Sequence, residues 1–129
     1  MFDMMCISHG PDKAFEICRI ALEEPLMTVR TNTLKTSRDK LMHTFRSREY
    51  GFDVTECEYA PNGIRFKKKP EDSLFQLVEY KKGHFEMQDE ASQLLAMRVD
   101  AKPGQIVLDY CGGSGGKSLA FAPFMHNTG

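Results

Sequence analysis

The stretch LDYCGGSGGKS, Leu108 to Ser118, gathers four glycines, a lysine and a serine behind an acid. Two ligands suit such a loop, a nucleotide phosphate or a methyl donor, and residue spacing separates them. A phosphate-cradling P-loop needs G-x-x-x-x-G-K-[ST]. Counted back from Gly116-Lys117-Ser118, the first glycine of that pattern falls on Cys111. The first glycine turns the chain so that successive N–H groups wrap a phosphate, so a side chain there removes the device. The dinucleotide pattern G-x-G-x-x-G also fails, because its third position after Gly113 and Gly115 is Ser118.

The flanks of the loop carry further information. Ile106 to Leu108 reads as a buried strand, Asp109 follows as an acid at its end, and a helix is expected from about Gly116. That order is the strand–loop–helix corner of a doubly wound sheet, where ligands sit beyond the carboxyl ends of strands. Glycines allow a close backbone approach to the ligand. A carboxylate at Asp109 suits the ammonium and sulfonium of S-adenosylmethionine and would repel the phosphates of ATP.

Upstream, the pattern is that of a smaller α+β unit. Pro11 to Glu24 has Phe15, Cys18, Ala21 and Leu22 at helical spacing. PLMTVRTN from Pro25 reads as a strand, and the next segment as a helix with a Thr36–Asp39 capping box, a Leu41–Phe45 pair and Gly51 as its stop. FDVTECEY and GIRFK, joined through Pro61-Asn62-Gly63, read as a hairpin. The expected fold is a ferredoxin-like or RRM-like unit. Phe85 to Gln88 reads as a short strand leading into the second unit, and Asp89 as the cap of a helix with Leu94, Leu95 and Met97 inward. These signals divide the chain into an N-terminal helical segment (1–24), the RRM-like unit (25–82) and the start of an α/β Rossmann-like domain (83–129).

Composition limits the function classes. The 129 residues carry 17 basic and 18 acidic side chains, so nucleic acid would have to be bound by a local patch rather than a global field. Hydrophobic residues make up 41%, and no apolar run approaches the ~18 residues of a membrane span. The N-terminus shows no secretory pattern. The four cysteines, Cys6, Cys18, Cys57 and Cys111, form no CxxC pair. Cys6 and His9 have ligand spacing but lack two further ligands, so no metal is assigned. The expectation is a reduced, cytoplasmic, monomeric protein with no membrane association.

Three stretches resemble one family. VLDYCGGSGGKS resembles the first motif, D-x-C-A-A-P-G-G-K-T, of the Sun (Fmu-type) RNA cytosine-5 methyltransferases; Asp109, Cys111, Gly115, Gly116 and Lys117 match, whereas Gly112, Gly113 and Ser114 replace Ala-Ala-Pro. VRTNTLKTSRDKL is similar to the R-x-N-T-L-K segment of that family, and GHFEMQDEASQLLA to its G-x-F-x-x-Q-D-x-A-S-Q-L stretch. The resemblance implies an RRM-like unit ahead of a class I methyltransferase domain. It places Asp109, Cys111, Gly112, Gly113, Ser114, Gly115, Gly116 and Lys117 at an S-adenosyl-L-methionine site, and Arg30, Asn32 and Lys35 at RNA.

The implied substrate is RNA, ribosomal ahead of transfer RNA, methylated at cytosine C5. That carbon becomes nucleophilic only after a thiolate adds to C6. The family's thiolates stand in D-A-P-C-S-G and T-C-S motifs, neither of which occurs in residues 1–129. Cys111 is therefore read as a loop residue, no catalytic residue is assigned, and the nucleophile is expected in chain beyond Gly129. Lys67 to Lys69, Lys81 and Lys82 are candidate phosphate contacts, and Phe52, Phe66 and Phe75 candidate base-stacking rings weighed against core packing. The rival reading is a non-catalytic RNA-binding module with a relic donor corner.

Overall fold

The computed structural model describes all residues, 1–129. Its centre is a four-stranded antiparallel sheet of β1 (Thr28–Thr31), β2 (Val54–Glu56), β3 (Gly63–Phe66) and β4 (Phe85–Met87), in the order β2-β3-β1-β4. β1 pairs Val29 with Ile64 on one side and with Met87 on the other. This is the ferredoxin-like arrangement expected. The sheet extends past the boundary placed at residue 83, because β4 is its edge strand beside β1. A short strand with polar flanks reads the same whether it opens a new sheet or closes an old one, so Phe85 to Gln88 did not reveal its partner.

Strand alternation divides the sheet into an apolar and a polar face. Val29, Val54, Ile64, Phe66 and Phe85 point to one side and meet Leu41, Met42 and Phe45 of the helix Arg38–Arg46, together with Leu74 and Leu77. Phe45 is central, with ring centroids 5.4 Å from those of both Phe66 and Phe85. The helix is capped by Ser37, whose side chain accepts from Lys40 N, one position after the capping box expected at Thr36; it ends at Arg46, ahead of Gly51. Phe66 is core, Phe52 packs against it, and the exposed Phe75 lies edge-on to Tyr80, so no aromatic platform opens to solvent on the sheet.

Thr28, Arg30, Thr55 and Arg65 occupy the opposite face, over which the helix Glu90–Arg98 lies. Asp89 caps this helix as expected, accepting from Ser92 N at 3.1 Å. Its inward residues are Glu90, Gln93 and Ala96, whereas Leu95 and Met97 are exposed and Leu94 is half-buried. The polar sheet face selects the polar side of the helix, which reverses the inward Leu94, Leu95 and Met97 of the sequence reading. At the N-terminus, helices Phe2–His9 and Pro11–Ala21 pack on each other, and Ala14 is their one buried residue; Phe15 and Leu22 face solvent.

The last helix, Gly116–Phe121, packs on Glu90–Arg98, and Ala101, Phe121 and Met125 form a second, small core. Ile106 to Leu108 is not a strand. Ile106 is 95% exposed, Leu108 is also exposed, and the segment pairs with no other strand. Extended apolar chain becomes a strand only beside a partner whose N–H and C=O groups it can use.

Candidate donor loop and its supports

Residues 109–115 form a largely exposed turn that leads into the final helix, with two glycines in the left-handed region, Gly113 at φ +52° and Gly115 at φ +76°. Gly115 is the N-cap of the final helix, and its conformation favours a residue without Cβ. The amide of Gly115 donates to Gly112 O at 2.8 Å and closes the turn. The Asp109 carboxylate accepts from Ser118 Oγ at 2.7 Å and borders Gly112, where an added Cβ would stand 3.2 Å from the carboxylate. Cys111, Ser114 and Lys117 are exposed. Six of the eight expected donor-site residues thus lie on this turn, with the Asp109 carboxylate at its base, and the other two, Gly116 and Lys117, open the final helix.

The expected RNA residues are placed differently. Arg30 is 5% exposed, on the covered face of β1, and its Nε donates to Gln88 Oε1 at 2.7 Å. Its Nη2 is buried without a partner, and burial lowers the guanidinium pKa, partly offset by Glu86 opposite it. Asn32 donates from Nδ2 to Gly83 O at 2.9 Å and accepts from Leu34 N at 3.1 Å. Lys35 Nζ donates to Lys82 O at 2.7 Å. Asn32 and Lys35 therefore clasp the turn at Gly83 across the β1–β4 pair, whereas Arg30 is buried against Gln88 rather than lying on the surface. A surface reading of an arginine rests on base rates of burial, which a carboxamide partner such as Gln88 overrides.

Two residues of the donor-side stretch were missed as site residues although they stand in the Q-D-x-A-S-Q match. Gln88 donates from Nε2 to Gly116 O at 3.0 Å, so Arg30, Gln88 and the glycine loop form one hydrogen-bonded chain. Gln93 Nε2 donates to Gln88 O at 2.9 Å. Beside them Glu90 accepts from Tyr59 N at 2.6 Å and Ala60 N at 3.0 Å and pairs with Arg65. Burial pushes the Glu90 carboxyl up, and the two amides with Arg65 more than offset this, leaving its pKa below the usual value.

A separate open groove of about 870 Å³ lies between Met27, Phe66, Met87 and the rim Lys67–Lys69. Lys67 pairs with Asp53 at 3.3 Å and Lys69 with Glu24 at 3.6 Å, so the lysine run is partly neutralised. No three His, Cys, Asp or Glu side chains come together as a metal site.

A family model described as "Methyltr_RsmF/B-like, ferredoxin-like domain" matches residues 5–71, just over half of the chain. The chain belongs to the Sun-type, RsmF/B-like methyltransferase family. Among curated relatives of the family, a probable ribosomal RNA small subunit methyltransferase B of Bacillus subtilis (strain 168) is 32% identical over 122 residues, covering 95% of this chain and 26% of that protein. A 28S rRNA (cytosine-C(5))-methyltransferase of Mus musculus is 28% identical over 141 residues, covering 98% of this chain and 29% of that protein. The chain thus spans about a quarter of the length of the curated relatives it matches. The crystal structure of NSun6 from Pyrococcus horikoshii with SFG shares the fold, with a TM-score of 0.77 at 17% identity over 99% of this chain and 56% of that one. No helix of the chain is long and apolar enough to cross a membrane.

Proposed function

We propose that this Sun-type chain is the part of an S-adenosylmethionine-dependent RNA cytosine-5 methyltransferase that holds the methyl donor and braces it on the ferredoxin-like unit, with ribosomal RNA as substrate. The single observation that carries the reading is the accessible loop at 109–115, whose backbone turns around a carboxylate tied to Ser118. Asp109 attracts the donor's ammonium, and the glycines admit its adenosyl portion close to the backbone. The donor, when bound, supplies the electrophilic methyl group. Support comes from NSun6, solved with the S-adenosylmethionine analogue SFG, and from relatives named for cytosine C5 of ribosomal RNA. The family's thiolate motifs, D-A-P-C-S-G and T-C-S, do not occur in residues 1–129, and Cys111 is read as a loop residue.

Calorimetric titration with S-adenosylhomocysteine tests the reading. Binding is expected, weakened about tenfold by Asp109→Asn, the scale of one lost charge-assisted contact. Binding of Mg-ATP instead, or an Asp109→Asn chain that binds as tightly as the wild type, overturns it. The exposed Ile106–Leu108 segment favours a second reading, an RNA-binding module whose donor corner is unsupported. That module would bind RNA with a salt-dependent affinity and leave the calorimeter silent with S-adenosylhomocysteine.

A further inference from the structure

The geometry points to Gln88 as a positioning residue that fixes the glycine loop to the ferredoxin-like sheet, so that donor affinity depends on a side chain outside the loop. The inference rests on the donor-loop reading above. Gln88 sits where three elements meet. Its backbone N donates to Thr28 O at 3.3 Å, and its backbone O accepts from Thr28 Oγ1 at 3.0 Å and from Gln93 Nε2 at 2.9 Å. The main chain is therefore locked before the side chain acts.

The side chain has one orientation that satisfies both neighbours. Arg30 has only donors, so it takes Oε1; the Gly116 carbonyl only accepts, so it takes Nε2. Arg30 is itself buried and held on β1, and a turned carboxamide would set donor against donor and oxygen against oxygen. Gly116 O belongs to the first turn of the final helix, immediately after Gly115, the left-handed cap that aims the loop. Loss of the Nε2 bond leaves β1 and β4 paired and lets the loop swing on Gly113 and Gly115.

The test uses Gln88→Glu and Gln88→Met in the full chain. The glutamate keeps an acceptor for Arg30 and cannot donate to Gly116 O; the methionine keeps the volume and loses both bonds. Hydrogen exchange by mass spectrometry is read without ligand, and S-adenosylhomocysteine affinity by calorimetry. The expected result for Gln88→Glu is faster exchange in the peptide spanning Gly112–Ala122 and donor affinity lower by about three- to tenfold, the span of one net hydrogen bond. Exchange over β1 and β3 stays at wild-type rates, which a merely structural residue would not allow. Unchanged loop exchange in both variants overturns the inference, as does a uniform rise across the chain in both. If the wild type binds no donor while its loop still loosens in Gln88→Glu, the donor reading fails and Gln88 remains the brace of the loop.

Discussion

Glu90 offers the sharpest test of the polar layer between sheet and helix. Its side chain is 11% exposed, and the carboxylate receives the amides of Tyr59 and Ala60 together with the guanidinium of Arg65. Glu90→Ala leaves these donors unmatched to different degrees. Ala60 is 1% exposed, so its amide stays dry and costs about 1–3 kcal/mol. The Arg65 side chain is 29% exposed and regains water, which limits its share to about 1 kcal/mol. The expected loss is therefore about 3 kcal/mol. Glu90→Gln keeps one acceptor oxygen for the amides and should lose about 1 kcal/mol.

The pH dependence of that loss has a definite sign. The folded-state pKa of Glu90 lies below its ordinary 4.5, so its stabilisation is fully present above that value and disappears as pH falls through the depressed one. Urea unfolding of wild type and Glu90→Gln, compared at neutral pH and downward, should show a gap that narrows on acidification. A Glu90→Ala chain within about 0.5 kcal/mol of wild type, the spread of neutral surface changes, would refute the layer as described. A gap that widens in acid would refute the assignment of the charge.

Two further outcomes follow from the same region. Gly63→Ala places a Cβ 2.7 Å from Cys57 Sγ, 2.8 Å from Cys57 Cβ and 3.1 Å from Gln93 Oε1, so it should cost about 1–3 kcal/mol in urea unfolding, and adding Cys57→Ala, which keeps the Cβ contact, should leave most of that loss in place. In timed iodoacetamide labelling, exposed Cys111 should react in the native state, whereas buried Cys57, its thiol pKa raised by burial and by Glu90, should react only on unfolding; native-state labelling of Cys57 ahead of Cys111 would contradict the burial assigned to it.

The ferredoxin-like core was legible because its signals are local. Leu41 and Phe45 stand one helical turn apart, Ile64 and Phe66 alternate on a strand, and Pro61-Asn62-Gly63 marks the turn between β2 and β3. Asp89 was legible as a cap for the same reason. What failed depended on partners distant in sequence. Glu90 turns inward because Arg65, 25 positions earlier, waits on the sheet, and nothing within one helical turn announces that. Arg30 looks like an RNA contact until Gln88, 58 positions along the chain, proves to be its acceptor. The glycine loop itself was recognisable as a motif, but its brace was not.

The segment Ile106–Cys111 carries the last consequence, since it separates pattern from partnership. Its apolar run has strand character, yet none of its amides donates to a backbone carbonyl, and its side chains at Ile106, Leu108 and Tyr110 lie open. Amides without partners exchange at rates near those of unfolded chain, whereas core amides open only with the global free energy, on the order of 5–15 kcal/mol. Amide exchange followed by NMR should therefore show Val29 and Ile64, paired across β1 and β3, protected, and residues 106–111 almost unprotected. Donor would slow Asp109 to Cys111 if the loop grips it there. Strong protection of Ile106 to Leu108 without ligand would mean that the strand has found an edge in solution, and the exposed corner described above would be wrong.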